Sequence, residues 1–266
     1  MRALMNSLIE KQAPRMTEKK SAWAEAVVVI NKHRTQNLFS LQIAANLAPF
    51  EAGQYTSLAL DIDGERVAQP YSILSAPEQQ PVEFFFYTQA DGTLSARLSH
   101  LQTGDRVWVQ QQPEGSFTLS RVPAGKDLWL IATGTGVSPF LSMLKTEDIW
   151  RRFEHVVLVY AVRQWDDIGY GELIRNTQEE RGERFSFVPF VSREKVDGCV
   201  YGHIPASISN GTLERVAGRT LSLTDSQLML CGNPGMVQDA LQALEQRGFT
   251  RSLDGRSGNI TLEAYW

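Results

Sequence analysis

The feature that most constrains the fold is a change in hydrophobic pattern near the middle of the chain. Before residue 112, short runs of β-branched and aromatic residues alternate with turn signals, and Asp63-Gly64 between two runs is typical of a tight hairpin. After a break at residues 122–126, continuous apolar runs such as 128–131 alternate with amphipathic stretches. A continuous apolar run is typical of a strand buried on both faces, so the second half predicts a parallel sheet covered by helices.

The pattern predicts two domains, residues 23–122 and 126–266, after a flexible leader over residues 1–22. The first domain reads as an antiparallel barrel or sandwich with strands at 26–30, 38–44, 55–62, 66–74, 82–88 and 106–111 and one helix at 94–101. The second reads as a doubly wound α/β sheet. Its predicted strands are 128–131, 155–161, 185–191 and 228–230, and its predicted helices are 138–150, 171–181, 204–214 and 235–247.

Charge and cysteine content narrow the function classes. A net charge of −4 argues against a dedicated nucleic-acid binder, which would ordinarily be basic. No apolar run approaches the ~18 residues that a membrane helix requires. The N-terminus lacks a secretory signal, and Cys199 and Cys231 form neither a disulfide framework nor a metal motif. We therefore expect a cytoplasmic protein with reduced thiols, no metal and no stable membrane association.

Four features fall at the predicted carboxyl ends of the parallel strands, where open α/β sheets bind ligands. They are Gly134-Thr135-Gly136, Arg163, Ser192-Arg193 and Cys231-Gly232. The glycines let the backbone approach a ligand closely, and a helix capped by Ser138 and opening at Pro139 would offer N–H groups to a pyrophosphate. The alternative is an ordinary turn that needs glycine for positive φ.

Arginine at two of these strand ends favours a phosphate ligand. Many NAD-binding sheets carry an acidic residue near the position of Arg163 for the ribose hydroxyls, whereas arginine suits a 2′-phosphate. Arg193 is a second candidate for that phosphate. The alternative is that both are solvated surface residues and that Asp166 or Asp167 pairs with Arg163.

Aromatic residues provide a further clue. Tyr71, followed by Ser72, could stack on a flat cofactor, although a strand tyrosine is more often an ordinary packing residue. The terminal Tyr265 and Trp266 could cover a flat ring system or fill a groove of the core.

Together these motifs resemble the ferredoxin/flavodoxin–NADP reductase family, in its bacterial type, over about residues 23–266. The resemblance rests on Tyr71-Ser72, the run Gly134 to Pro139, the run Cys231-Gly232-Asn233-Pro234-Gly235-Met236, and the final Tyr265-Trp266. It implies a six-stranded antiparallel Greek-key β-barrel that binds FAD over residues 23–122, and an NADP(H)-binding α/β domain over residues 126–266. It also implies hydride exchange between NADP(H) and FAD, and single-electron exchange with ferredoxin or flavodoxin, by a monomer.

The resemblance also implies roles for individual residues. Those expected to contact FAD are Gln69, Tyr71, Ser72, Phe85, Phe86, Tyr87, Leu94, Ser95, Thr135, Tyr265 and Trp266. Phe85 to Tyr87 would act through backbone groups, and Leu94 and Ser95 at the phosphates. Those expected to contact NADP(H) are Gly134, Thr135, Gly136, Arg163, Arg193, His203, Cys231 and Gly232. Ser72, Cys231 and Glu263 would lie beside the reacting atoms as catalytic residues.

Two positions depart from the family pattern, and other functions stay open. Gln69 stands where an arginine usually contacts the FAD pyrophosphate, so FAD would be held less tightly unless Arg97 compensates. His203 stands where a basic residue usually helps to bind the 2′-phosphate. The alternatives are the NAD(P)H-dependent reductase component of an oxygenase, a free-flavin or ferric reductase, and a non-enzymatic nucleotide sensor.

Overall fold

A computed structural model describes residues 22–88, 92–253 and 257–264. Residues 1–21 of the predicted leader lie outside the described residues, as do the terminal Tyr265 and Trp266. Within the described ranges, no helix is both long and apolar enough to span a membrane.

The first half of the chain forms a six-stranded antiparallel sheet. Its strands are β1 (Trp23–His33), β2 (Leu38–Ala44), β3 (Tyr55–Ile62), β4 (Glu65–Ser72), β5 (Val82–Tyr87) and β6 (Arg106–Gln110). The spatial order is β4-β3-β6-β1-β2-β5. An antiparallel bridge between Ile73 and Phe84 joins the two end strands. The sheet therefore closes on itself, and the predicted six-stranded barrel is confirmed.

Local sequence explains the β3–β4 hairpin and the barrel core. Asp63 and Gly64 have φ values of 53° and 85°, the positive values that the predicted turn requires. Alternate side chains of the strands, such as those of Leu41, Ile43 and Leu58, are fully buried inside the barrel. Helix α1 (Leu94–Ser99) covers one end of this core with Leu94 and Leu98.

The second half forms a six-stranded parallel sheet. Its strands are β7 (Asp127–Thr133), β8 (His155–Val162), β9 (Phe185–Val191), β10 (Val200–Tyr201), β11 (Ser226–Gly232) and β12 (Ile260–Ala264). Its helices are α2 (Ser138–Leu144), α3 (Glu147–Arg152), α4 (Gly171–Arg181), α5 (Ile204–Ser209), α6 (Thr212–Ala217) and α7 (Pro234–Glu245). The order β10-β9-β8-β7-β11-β12 reverses between β7 and β11. This is the predicted doubly wound sheet, with its switch point at β7 and β11.

Some predicted elements differ from the observed ones. The helix expected over 138–150 is divided into α2 and α3 at Lys145 and Thr146, and the helix expected over 204–214 is divided at Asn210-Gly211. Gly211 has a φ of 75°, which a continuous helix cannot accommodate. Strands β10 and β12 were not expected. Strand β10 has only two residues, and most of the five residues of β12 are half-buried, so neither strand shows a clear alternation of buried and exposed positions.

Candidate functional site

Two glycines bring the loops after β7 and β11 into contact at the switch point. A Cβ added to Gly136 would lie 2.6 Å from the Cα of Gly232 and 2.8 Å from the carbonyl oxygen of Cys231. Gly232 has a φ of 133°, and a Cβ there would lie 2.3 Å from the Thr133 hydroxyl oxygen. Gly134 has a φ of 54°, and a Cβ there would meet no atom within 4 Å, so its backbone conformation alone favours glycine. Close approach and turn geometry therefore both operate in this motif.

The segment after β11 is fixed by a set of local hydrogen bonds and one bond to the loop after β7. The Asn233 amide donates to the Thr133 hydroxyl at 3.0 Å, which ties the two loops together. The Asn233 side-chain oxygen accepts from the amides of Gly235 at 2.9 Å and Met236 at 3.3 Å, and so caps α7. The asparagine and proline of this motif therefore start a helix directly beneath the switch point.

The expected cap of α2 is wrong. Ser138 is the first residue of α2 rather than its cap, because a 3-10 turn at Gly134–Val137 precedes the helix. The Ser138 hydroxyl donates to the carbonyl of Thr135 at 2.7 Å, and Ser138 and Pro139 are buried. The partly exposed backbone at this strand end is therefore that of Gly134 and Thr135, one turn earlier than predicted.

A carboxyl group with a buried, unpartnered oxygen lies beside Cys231. Glu263 pairs with Cys231 in the register of β12 and β11, and Cys231 is fully buried. The Glu263 Oε1 atom is buried without a hydrogen-bond partner within the described part of the chain. Burial raises the pKa of Glu263 from 4.5 to about 7, so the group exchanges a proton near neutral pH.

Tyr55 links this carboxyl group to the barrel. Burial, followed by the negative charges of Glu114 and Glu263, raises the pKa of the Tyr55 phenol. Tyr55 is the register partner of Ser72 across β3 and β4. The Gly134–Val137 turn also packs against β5. The Tyr71-Ser72 end of the barrel therefore faces the Cys231 and Glu263 edge of the parallel sheet.

On the barrel side, the aromatic residues divide into core residues and accessible ones. Phe86 is buried and stacks on Phe39, with ring centroids 5.9 Å apart, and Phe85 is buried against the second domain. Tyr71 is half-buried, its ring edge-on to Phe86 at 5.7 Å, and burial raises its pKa. Tyr87 is 45% exposed. The side chains of Phe85 and Phe86 are thus occupied by packing, and the backbone contacts of this strand with a ligand stay a prediction.

The expected phosphate-binding end of the barrel is built around α1. Leu94 and Ser95 form its first turn, and Leu94 directs its side chain into the barrel core, so only its backbone can face a phosphate. The Thr93 hydroxyl caps the helix by accepting from the Ala96 amide at 3.4 Å. Gln69, on β4, is exposed, and its side-chain oxygen accepts from the Tyr71 hydroxyl at 3.3 Å.

Three basic residues line the other side of the carboxyl edge. Arg163 and Arg193 follow β8 and β9, and the Arg193 amide donates to the Arg163 carbonyl at 2.9 Å. His203 follows β10, whose Tyr201 pairs with Val191 of β9. All three side chains are exposed, and neither arginine forms an ion pair with a described residue, Asp166 and Asp167 included. The alternative pairing of Arg163 with those aspartates is therefore not observed.

Comparison with known proteins identifies the family. A family model for the oxidoreductase FAD-binding domain matches residues 26–119, and one for the oxidoreductase NAD-binding domain matches residues 130–242. A flavodoxin/ferredoxin–NADP reductase of Escherichia coli is 41% identical over 245 residues, which are 92% of this chain and 99% of that protein. The chain belongs to the flavodoxin/ferredoxin–NADP reductase family.

Other members support this assignment. A flavodoxin/ferredoxin–NADP reductase of Buchnera aphidicola is 35% identical over 254 residues, covering 92% of this chain and 99% of the relative. A crystal structure of a ferredoxin NADP+ reductase from Neisseria gonorrhoeae, with bound FAD and NADP, superposes with a TM-score of 0.86. It is 28% identical, and the match covers 91% of this chain and 98% of that one.

For a member of this reductase family, the structure brings the predicted residues into three groups. The first lies between the domains and contains Tyr71, Ser72, Gly136, Cys231 and Glu263. The second, around α1, contains Leu94 and Ser95, and the third is the basic edge of Arg163, Arg193 and His203. Sequence reasoning missed Tyr55, because an aromatic residue at the start of a strand carries no signal that distinguishes a site from a core.

Proposed function

We propose that this chain is an FAD-dependent oxidoreductase that passes a hydride between NADP(H) and flavin, and single electrons between flavin and ferredoxin or flavodoxin. The observation that carries the proposal is the cleft between the domains. There, the Gly136–Gly232 contact and the Glu263 carboxyl, one oxygen of which has no partner among the described residues, face the Tyr71-Ser72 end of the barrel. A buried polar atom without a partner is costly in a folded protein, and a ligand that bonds to it removes that cost.

The residues of the barrel fit a flavin nucleotide. Tyr71 offers a partly exposed aromatic ring, and Ser72 follows it as the last residue of β4. The end strand β5 continues beyond the Ile73–Phe84 bridge, so its backbone can bond to a ligand along that edge. When bound, FAD supplies the redox centre that exchanges a hydride with the nicotinamide and single electrons with a protein.

The chain itself contributes orientation and proton balance. Gly136 and Gly232 let the loops after β7 and β11 pack backbone against backbone, which fixes the floor of the cleft. Glu263 keeps a pKa of about 7 in a buried position, which lets it hold a proton beside Cys231 or release it with little cost. We expect Thr135, which is partly exposed on the 3-10 turn, to contact one of the two ring systems.

The basic edge supports NADP(H) over NAD(H). A 2′-phosphate would meet two exposed guanidinium groups, those of Arg163 and Arg193, that no described acidic residue neutralises. An imidazole is a poorer partner for a phosphate than a guanidinium, so we expect most of the discrimination to come from the two arginines rather than from His203.

This specificity is tested by comparing kcat/KM for NADPH and NADH in the wild type and in an Arg163→Ala/Arg193→Ala variant. A hydrogen bond to a charged group contributes ~1.5–3 kcal/mol, so removing two should lower the NADPH/NADH ratio about 100-fold or more. Arg175→Ala, which removes an exposed charge from α4, serves as the control and should leave the ratio unchanged. A wild-type ratio at or below one, or loss of FAD from the double variant, contradicts the assignment.

The acceptor is tested separately. Stopped-flow oxidation of the reduced protein should be faster with ferredoxin or flavodoxin than with free flavin or ferric complexes at equal concentration. The reverse order would favour a free-flavin or ferric reductase, and a purified protein that does not take up FAD would favour a sensor. The domain limits at residues 122 and 126, the monomeric state and the cytoplasmic location remain predictions.

A further inference from the structure

A buried polar network crosses between the two domains on residues that the expected cofactor contacts do not use. Arg34, Ser40 and Glu83 come from the barrel, and Tyr170 comes from the segment just before α4. Glu83 is only 5% exposed although it carries a carboxylate. Burying a charge is costly unless it is hydrogen-bonded, so the bonds of Glu83 matter for how the domains meet.

The hydrogen bonds of this network run in one direction. The Arg34 Nε donates to the Ser40 Oγ at 2.8 Å, and the Tyr170 hydroxyl donates to the Glu83 Oε1 at 2.8 Å. The Ser40 Oγ and the Tyr170 hydroxyl lie 2.6 Å apart. Since Tyr170 uses its proton on Glu83, Ser40 is the donor in that bond. The network is therefore a relay from a guanidinium to a carboxylate, to which the second domain contributes Tyr170.

Packing also fixes the Tyr170 ring against the barrel. Its centroid lies 5.3 Å from that of Phe85 in an edge-on contact, and the Arg34 guanidinium carbon lies 4.5 Å from it. Gly169 touches Phe85 so closely that an added Cβ would lie 2.7 Å from the ring. Tyr170 itself has a φ of 62°, which a tyrosine adopts only where its surroundings impose it.

The contacts of Tyr170 converge on β5, the strand whose edge is expected to bind flavin. Tyr170 bonds to Glu83 and packs on Phe85, which are four and two residues before Tyr87. Next to the network, a groove of about 920 Å³ opens between the domains, lined in part by Arg34, Lys145 and Tyr170. The relay therefore lies at the open edge of the domain interface, beside a buried apolar cluster to which both domains contribute.

We infer that Tyr170 is a positioning residue that locks the nucleotide-binding domain onto β5 and so sets how closely the nicotinamide can approach the flavin. The inference rests on the proposed function, because it assigns the lock to hydride transfer between the two domains. A small misplacement of reacting groups lowers rates steeply, since about 1 Å can cost ~10²-fold.

The test is the full-length Tyr170→Phe variant, which keeps the ring on Phe85 and removes only the hydroxyl of the relay. Ser207→Ala is the matched control, since the Ser207 hydroxyl is also buried but donates to the Ile204 carbonyl within α5, at 2.7 Å. Three quantities are measured for each protein. They are the rate of flavin reduction by NADPH in stopped flow, the dissociation constant of 2′-phospho-AMP, and amide hydrogen exchange over residues 83–87 and 168–172 without nucleotide.

We expect Tyr170→Phe to reduce its flavin about tenfold more slowly than the wild type, with 2′-phospho-AMP affinity and FAD content within about twofold. Amide exchange should rise on both sides of the interface. Ser207→Ala should keep the wild-type reduction rate even if its unfolding free energy falls as far as that of Tyr170→Phe. A variant that lost only stability would show no such separation between reduction rate and phosphate affinity.

Conservative replacement of the partner adds a second check. Glu83→Gln keeps an acceptor for the Tyr170 hydroxyl and should retain most of the reduction rate, whereas the Tyr170→Phe/Glu83→Gln pair should be no slower than Tyr170→Phe alone. If Tyr170→Phe left both the flavin reduction rate and the amide-exchange pattern unchanged, the positioning role of Tyr170 would be refuted. A wild type that binds FAD but is not reduced by NADPH would instead overturn the proposed function. In that case the amide-exchange measurement would still show whether the Tyr170 hydroxyl holds the two domains together.

Discussion

The buried carboxyl of Glu263 makes a pH-dependent prediction for stability. Burial raises its pKa from 4.5 to about 7, so the folded protein holds the proton over a range where the unfolded chain has released it. Each pKa unit corresponds to ~1.36 kcal/mol, which gives about 3 kcal/mol for the whole shift. The contribution is complete below pH 4.5 and is lost as the pH rises through about 7.

The assay is urea unfolding of the wild type and of Glu263→Gln at several pH values between about 5 and about 8.5, without added nucleotide. Glutamine keeps the volume of the side chain but cannot ionise. The two proteins should differ by ~1 kcal/mol or less at about pH 5, and the variant should be more stable by about 3 kcal/mol at about pH 8.5.

The opposite sign would mean that Glu263 is stabilised as an anion by a partner, and parallel stability curves would mean that it is solvated. Either result refutes the argument that the Glu263 carboxyl is buried and has an oxygen available to bond to a ligand. It would also remove the reason for placing a proton-holding group beside Cys231 in the cleft.

Two further predictions concern glycine packing and a helix end. Gly136→Ala should lower the unfolding free energy by ~1–3 kcal/mol, because its methyl group would lie 2.6 Å from the backbone of the neighbouring loop. Gly134→Ala would meet no atom within 4 Å and should lower it by about 1 kcal/mol, through its positive φ alone. Denaturant unfolding that ranks the two variants in the reverse order would refute the close-packing argument. Asn31 donates its side-chain amide to the carbonyls of residues 98, 99 and 101 at 2.9, 3.2 and 2.9 Å. Asn31→Asp removes these donors from the end of α1 and should cost ~1–3 kcal/mol and weaken FAD retention, and a variant with unchanged unfolding and flavin content would contradict this.

The strand positions and the motifs at the strand ends were largely predictable, because they depend on the pattern of neighbouring residues. The observed β2, β3 and β9 match the predicted ranges, and the glycine motifs lie at the carboxyl ends of β7 and β11 as expected. The failures also have physical reasons. The break between α2 and α3 falls at Lys145, whose ammonium donates to the Leu74 carbonyl of the barrel at 3.2 Å, a contact with no local signature.

The candidate site divides in the same way. The sequence predicted which residue types would stand at the strand ends, including Arg163, Arg193 and Cys231. The family resemblance placed Glu263 and Cys231 beside the same reacting atoms, but the pattern did not reveal their pairing on neighbouring strands or the burial of Glu263, because β12 was not recognised as a strand. Nor did it indicate that Tyr55 would lie close enough to Glu263, in the other domain, for the charge of that carboxylate to raise the Tyr55 pKa.

The amino-acid sequence by itself determined the two kinds of sheet, the glycines at the switch point and the basic residues at one edge. Each of these follows from periodicity, backbone freedom or side-chain charge within a few neighbouring residues. Only the tertiary structure decided which groups lose contact with water and which meet across the domains, such as Glu263 near Tyr55 and Tyr170 on Glu83. Burial and hydrogen bonding depend on how segments far apart in the chain pack together, and the local pattern does not record that.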